Sequence, residues 1–269
     1  MTELRARTII INADDFGMDM AVNDAIVEAF ARDLISSTSI MVNMPGFADA
    51  VKLAHGLGLQ DRIGVHLNIT QGRPATAWIA RCRGLCDEAG EFRARRTMFH
   101  LTREEMCAVE EELEAQVGAC IDAGIRPTHL DSHHHVHTEW AVGQLVINVA
   151  RRVGIKAVRL TRNCGVGINA TRAAYKCAYN LRLRIYGLAK TRYFGSARDV
   201  QTVLRNTHAA IEVMVHPRWS DSGGLVDLDG VELAPRIEAI NIPHVATGYG
   251  VHKASIAIRR DEQCSPPRS

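Results

Sequence analysis

The chain has 269 residues, 46% of them hydrophobic, enough to bury the core of one large α/β barrel or two small domains. Its 32 basic residues nearly balance its 30 acidic ones, giving a formal net charge of +2. That balance offers no electrostatic footprint for nucleic acid, and no aromatic-rich basic patch is present to stack bases.

Short β-branched runs alternate with longer amphipathic ones. Residues 8–12 (TIIIN) predict a buried strand. Residues 20–31 place Val22, Ala25, Ile26, Ala29 and Phe30 on one helical face. Residues 37–43 (STSIMVN) predict a second strand, 47–57 a helix, and 62–69 (RIGVHLNI) a third strand. Residues 72–96, with scattered Gly, Pro and Arg, read as a long loop. Residues 102–123 form the clearest helix, with Thr102 as N-cap and an acidic first turn. Its apolar stripe is Met106, Val109, Leu113, Val117, Cys120 and Ile121.

A strand at 127–133, a helix at 142–153 and a strand at 157–162 follow. The segment 172–194 carries Tyr175, Tyr179, Leu183 and Tyr186 at helical spacing, beside Arg182, Arg184, Lys190 and Arg192. This predicts a packed helix with a solvated basic face; a homodimer contact or an approach to an anionic, lipid-linked substrate also fits it. Strands at 210–216 and 243–247 complete a set of seven. Alternating strands and helices in this number predict a TIM-like (β/α) barrel of about seven parallel strands, closed or nearly so. Residues 1–258 read as one barrel domain with an insertion at 163–200, and 259–269 as a disordered tail.

The start of the chain shows no signal peptide, and no run of about 20 apolar residues suggests a membrane span. The seven cysteines are odd in number and irregular in spacing, and read as reduced thiols in a cytoplasmic protein. No second pair faces Cys82 and Cys86 to build a structural zinc site.

The run PTHLDSHHHVH, 127–137, holds five of the chain's twelve histidines. As a strand it would put His129, Asp131, His133, His135 and His137 on one face and His134 on the other. Packing alone does not account for such a face, whereas imidazole binds metals and moves protons near neutral pH. Other polar residues fall at predicted strand ends: Asp14 and Asp15, Asn43, His66 and Asn68, then Asp131 and His133, Arg159, and His216. In βα barrels that rim holds the active site. Adjacent carboxylates there can divide the labour, one binding a divalent cation and one serving as general base. Two imidazoles and a carboxylate with open positions make a catalytic metal site, and a strand-end histidine such as His216 suits a general acid.

Four motifs occur in order: NADDFG at 12–17, GVHLN at 64–68, PTHLDSHHHVH at 127–137 and VMVHP at 213–217. Together they resemble the YdjC-like carbohydrate deacetylases, whose best-known members act on chitooligosaccharides. The resemblance spans about residues 8–249. It implies a seven-stranded βα barrel and a metal-dependent hydrolase that removes an N-acetyl group from an amino sugar. By position it makes Asp15, His66 and His133 ligands of one divalent ion, zinc or magnesium, with manganese, cobalt or nickel as further options. It makes Asp14 the base, His216 the acid, and Arg159 the partner of the base. Strand parity does not separate His133 from His135; that choice rests on the motif. Asn43, Asn68, His129, Asp131 and His137 are then expected to orient ligands or touch substrate. The segment 163–200 departs from the chitooligosaccharide enzymes and looks more like members with polymer or lipid-linked acceptors; a related branch is associated with hopanoid biosynthesis. Two rival readings are a non-catalytic barrel that binds sugar or metal, and an iron oxygenase built on His129, Asp131 and a distant histidine.

Overall fold

A computed structural model describes residues 7–94, 100–204, 207–240, 244–246 and 248–249. Strand β1 (Arg7–Phe16) lies at the centre of the sheet. Its Ile9, Ile10 and Ile11 are all buried, the mark of a strand covered on both faces. Around it are β2 (Ser37–Ile40), β3 (Ile63–Leu67), β4 (Leu130–Ser132), β5 (Tyr193–Ser196) and β6 (Ile211–Val215). They run in the order β4-β3-β2-β1-β6-β5, and every neighbouring pair is parallel. The hairpin β7 (Arg218–Trp219) and β8 (Leu225–Val226) stands apart, and β9 (His244–Ala246) pairs with the start of β1.

The helices are α1 (Met20–Ala31), α2 (Phe47–Gly56), α3 (Ala77–Ala80), α4 (Arg103–Asp122), α5 (Trp140–Val153), α6 (Ala170–Ile185), α7 (Ala197–Leu204) and α8 (Leu233–Glu238). They are the crossovers that parallel strands require. The result is the expected α/β barrel with a seven-stranded parallel sheet. One buried apolar cluster runs from Ile9 to Ile240.

Membership of the sheet differs from expectation at one place. Residues 157–162 do not form a regular strand; Val158 makes a single bridge to Leu130. The segment divides its backbone bonds among three neighbours and so builds no ladder. Leu130 N and O bond Ala157 O and Arg159 N, Val158 N donates to Leu188 O, and Asn163 N donates to Phe194 O. In this way it spans the gap between β4 and β5. The seventh strand is instead β5, which begins at the end of the segment read from sequence as a helical stripe; the helix there ends at Ile185. The predicted second strand also stops early, at Ile40, leaving Asn43 in the following turn. The loop at 72–96 contains α3 and a bridge between Cys86 and Phe92. The tail at 259–269 lies outside the described residues. No described helix is long and apolar enough to cross a membrane.

Helix α4 has the predicted cap, with Thr102 and Glu105 bonded reciprocally. Its predicted stripe is buried at Val109, Leu113, Val117 and Cys120, but Ile121 is 45% exposed, while Glu112 and Gln116 are fully buried. The reason is a polar clamp. Glu112 accepts from the backbone N–H groups of Ala75 and Thr76, each at 2.8 Å. Gln116 accepts from Asn68 N at 2.9 Å and donates to Asn68 O at 2.7 Å. A buried carboxylate is tolerable only when so paired. The clamp fixes the loop after β3, which carries residues of the site described below.

Glu112→Ala leaves the two backbone donors of Ala75 and Thr76 without an acceptor, at about 1–3 kcal/mol for each unsatisfied buried group, and removes one of the two acceptors of the Gln116 amide. The expected loss in urea unfolding is about 3 kcal/mol, with Glu112→Gln costing less because one carbonyl acceptor survives. A loss within the usual surface range of about 0.5 kcal/mol would show that the clamp is not stabilising.

Candidate active site

Strand alternation would send Asp14 and Asp15 to opposite faces. Here the register of β1 against β2 breaks between Ala13 and Phe16, and Asp15 adopts φ 73°. A left-handed non-glycine residue costs about 1–2 kcal/mol, least for Asp and Asn. That distortion brings both carboxylates to one rim, 1% and 3% exposed. Gly17 completes the turn at φ +89°, where a Cβ would stand 2.8 Å from the Met41 carbonyl oxygen.

Asp15, His66 and His133 converge. Asp15 Oδ1 is 3.3 Å from His66 Nε2 and 3.0 Å from His133 Nδ1. One ligand atom from each lies within 4.8 Å of the others, and all three residues are buried. Behind His66, its Nδ1 bonds Asp131 Oδ1 at 2.8 Å, and Ser39 donates to Asp131 Oδ2 at 2.8 Å. A carboxylate on one ring nitrogen orients the ring and turns Nε2 inward, the arrangement found behind metal-binding histidines. His133 Nε2 lies 2.9 Å from Gln71 Oε1, and Arg218 Nη2 donates to Asp15 Oδ2 at 3.0 Å.

The electrostatics of the cluster favour positive charge. Burial alone would lower the His66 pKa, but Asp131, Asp15 and Asp14 raise it to about 10. Burial alone would raise Asp15, but hydrogen bonds from His133 and His66 hold it well below the usual carboxylate range. One carboxylate and two imidazoles, backed by further acids, is a donor set that fits a divalent cation.

The histidine run behaves differently from a strand. Regular pairing covers only Leu130–Ser132; then comes a 3-10 turn at His133–Thr138 with His134 at φ 51° and His135 at φ 54°. The single predicted face therefore ends at His133. His134 is exposed and bonds Thr70, and His135 meets the Phe194 ring edge-on at 5.9 Å. His137 is buried against Ser132 Oγ at 2.6 Å. His129 bonds Thr128 and stacks on Tyr249 at 4.0 Å, in a space that exists because residue 64 is glycine. With His129 so placed and Asp131 committed to His66, Ser39 and Arg159, no His129–Asp131 iron triad forms.

Arg159 is fully buried and binds three carboxylates. Nη1 and Nη2 donate to Asp14 Oδ2 and Oδ1 at 2.6 and 2.7 Å, Nη1 lies 2.7 Å from Asp131 Oδ2, and Nε donates to Glu212 Oε1 at 2.6 Å. Burial works to raise the Asp14 pKa, and Arg159 overrides it, so Asp14 stays below its ordinary value. Glu212 has less help: burial pushes it up to about 6, and the Tyr249 hydroxyl donates to it. Across from this pair, His216 Nε2 is 3.9 Å from Asp14 Oδ2, while its Nδ1 is 3.9 Å from Asp227 Oδ1. Asp227 accepts from His216 N at 2.8 Å and is held by Arg236 at 2.7 Å.

The rim thus gathers Asp14, Asp15, His66, Asp131, His133, Arg159 and His216. Asn43 and Asn68 bond one another at 3.1 Å and shape the loop beside it. His129 and His137 lie outside the cluster, buried behind it. Sequence reading missed Ser39, Gln71, Glu212, Arg218, Asp227 and Tyr249. Glu212 left a signal, an acid in the middle of a β-branched strand (AIEVMVH), and Arg218 adjoins the VMVHP motif. Asp227 left none.

Burial depresses His129 to about 4 and His137 to about 3. Their folded-state values lie below the unfolded value of about 6.5, so the unfolded chain binds the extra protons. Their contribution to stability is therefore full above pH 6.5 and falls as pH drops from about 6.5 to 4, by about 1.4 kcal/mol per pH unit for each histidine. Denaturant titrations from pH 7 to 4.5 should show that fall, with a shallower one in His137→Gln. An unchanged slope in the variant would mean that His137 does not carry it.

The YdjC-like protein family profile matches residues 8–241. A carbohydrate deacetylase of Vibrio cholerae is 34% identical over 220 residues, which is 79% of each chain. A carbohydrate deacetylase of Brevibacillus brevis is 34% identical over 225 residues, 81% of this chain and 84% of that one. Among solved structures, an Enterococcus faecalis protein provisionally described as a cellobiose-phosphate cleavage protein superposes with a TM-score of 0.66 at 24% identity. It covers 91% of this chain and 98% of its own, and that likeness speaks for the fold. By profile and by identity along most of its length, the chain belongs to the YdjC-like protein family.

Proposed function

We propose that this protein is a divalent-metal-dependent hydrolase that removes the N-acetyl group from an N-acetylated amino sugar and releases acetate. The observation that carries the reading is the pairing of the Asp15, His66 and His133 cluster with a separate carboxylate, Asp14, facing His216. The carbohydrate deacetylases of similar sequence support the sugar and the acetyl group as substrate class.

Asp15, His66 and His133 would hold the ion. When bound, a divalent cation acts as a Lewis acid on the acetyl carbonyl and acidifies water. Asp14 takes the proton from the attacking water. It can do so at neutral pH because Arg159 keeps it ionised. Having both oxygens engaged by Arg159 also fixes its plane, so it has little reorganisation to make. His216 protonates the departing sugar nitrogen, with Asp227 behind its Nδ1 to steady the protonated ring. Asp131 orients His66, and Gln71 orients His133. Zinc and magnesium both suit this set when water fills the remaining positions, as do manganese, cobalt and nickel. A lipid-linked or polymeric amino sugar is included in the substrate class.

Acetate release is to be measured on free N-acetylglucosamine, chitobiose, and nucleotide-linked and lipid-linked N-acetyl sugars, with and without EDTA. Release that EDTA abolishes and metal restores is expected; no release from any sugar would leave only a binding protein. Asp14→Asn and His216→Ala should each lower kcat by about 10²–10⁴-fold with metal content intact. Wild-type turnover in Asp14→Asn would overturn the base assignment. His66→Ala should lose bound metal by elemental analysis, and unchanged metal would overturn the ligand assignment.

A further inference from the structure

Residues 140–198 contain twelve of the chain's 32 basic residues and none of its 30 acidic ones. The chain as a whole carries only +2, so acids outnumber bases everywhere else taken together. Arg159 is buried among carboxylates, and Arg152 and Arg162 pair with acids outside the segment; the other nine lie on α5, α6 and the segments beside them.

Helix α6 has two apolar sides. The inner side packs on the barrel through Tyr179 and Leu183, both buried. It is also tied to the site: Tyr175 and Tyr179 donate to the carbonyls of Thr138 and His137, at the end of the histidine turn. The outer side carries Ala174, Ala178, Leu181 and Ile185, all exposed and spaced as one helical stripe. Leu181 is 52% and Ile185 74% exposed. By helical position Arg184 borders this stripe on one side and Arg182 on the other. Arg182 stacks over the Trp140 ring at 4.5 Å, and Trp140 is itself 46% exposed.

We infer that the outer face of α6 docks on an anionic lipid bilayer surface. A helix with an exposed aliphatic stripe, flanking arginines, and an adjacent tryptophan has the composition of an element that lies in the membrane interface. The charge selects among occupants. A second copy in a two-fold dimer would set Arg182 and Arg184 near their own images, cation on cation. A nucleic acid would match the charge but gain nothing from Leu181 and Ile185, which cannot stack on bases. Anionic headgroups pair with the cations while the interface accepts the aliphatic and aromatic side chains. Docking there would bring the helix that buttresses His137 and Thr138 onto a membrane. The inference does not depend on the proposed deacetylation, and its test reads binding alone.

The full chain is to be floated with vesicles of phosphatidylcholine alone and of phosphatidylcholine with one-quarter phosphatidylglycerol. Binding to the anionic vesicles only is expected, and most of it should vanish as salt rises from about 0.1 to 1 M and the Debye length falls from about 10 to 3 Å. Arg184→Gln should lower the partition coefficient about fivefold, the equivalent of about 1 kcal/mol per cation at an anionic surface. Leu181→Glu with Ile185→Glu should abolish binding. These side chains are exposed, so unchanged circular dichroism and thermal midpoint would show that the variants remain folded. Failure to bind either vesicle, or equal binding by the folded variants, overturns the inference. So does a dimer in sedimentation equilibrium that Leu181→Glu dissociates, or salt-sensitive binding to DNA in place of vesicles.

Discussion

The buried guanidinium of Arg159 is the interaction on which the rest of this site depends. Asp14, Asp131 and Glu212 arrive from β1, β4 and β6, and each carboxylate lies within hydrogen-bond reach of that one side chain. Without it, three desolvated carboxylates would repel one another, and burial would drive protons onto them. With it, and with His66 beside Asp131, Asp14 and Asp131 stay ionised, and only Glu212, which burial outweighs, is pushed up to about 6. A planar cation with donors on several edges is what such a junction needs; a lysine would offer a point charge without the fork.

The junction also explains how the site can bear strain. Asp15 sits at a left-handed backbone position, and His134 and His135 repeat that geometry across the rim. Such residues persist where their surroundings over-determine them. Asp15 is held by Arg218, His66 and His133, and His133 in turn by Gln71. The loop that carries Gln71 is itself clamped by Glu112 and Gln116 from α4. Support therefore passes from a surface helix, through a loop, to the His133 ring.

The same layering separates roles within the histidine run. One of its five histidines, His133, reaches the metal-type cluster. His129 and His137 are buried and largely uncharged at neutral pH, so they fill and steady the wall behind it. Helix α6 then braces the end of the run through two tyrosine hydroxyls, while leaving its own outer stripe exposed.

Much of this was legible in the chain itself. The barrel followed from alternating patterns, because a parallel sheet demands helical crossovers and buried strands read as β-branched runs. The rim residues followed from where polar side chains interrupt those runs. Local pattern had no access to the rest. Whether residues 157–162 or 193–196 supply the seventh strand depends on which backbone finds a continuous partner, and that is settled by neighbours far away in sequence. Strand parity sent Asp14 and Asp15 apart and kept His133 with His135; two left-handed kinks reversed both outcomes. Asp227 and Tyr249 gave no warning, since nothing near them in sequence shows that they will meet His216 and Glu212. The sequence by itself determined the fold and the stock of reactive groups, through periodicity and side-chain chemistry. The tertiary structure alone decided which groups touch, because partners such as Arg159 and Asp14 lie 145 residues apart and meet only when the sheet curls around them.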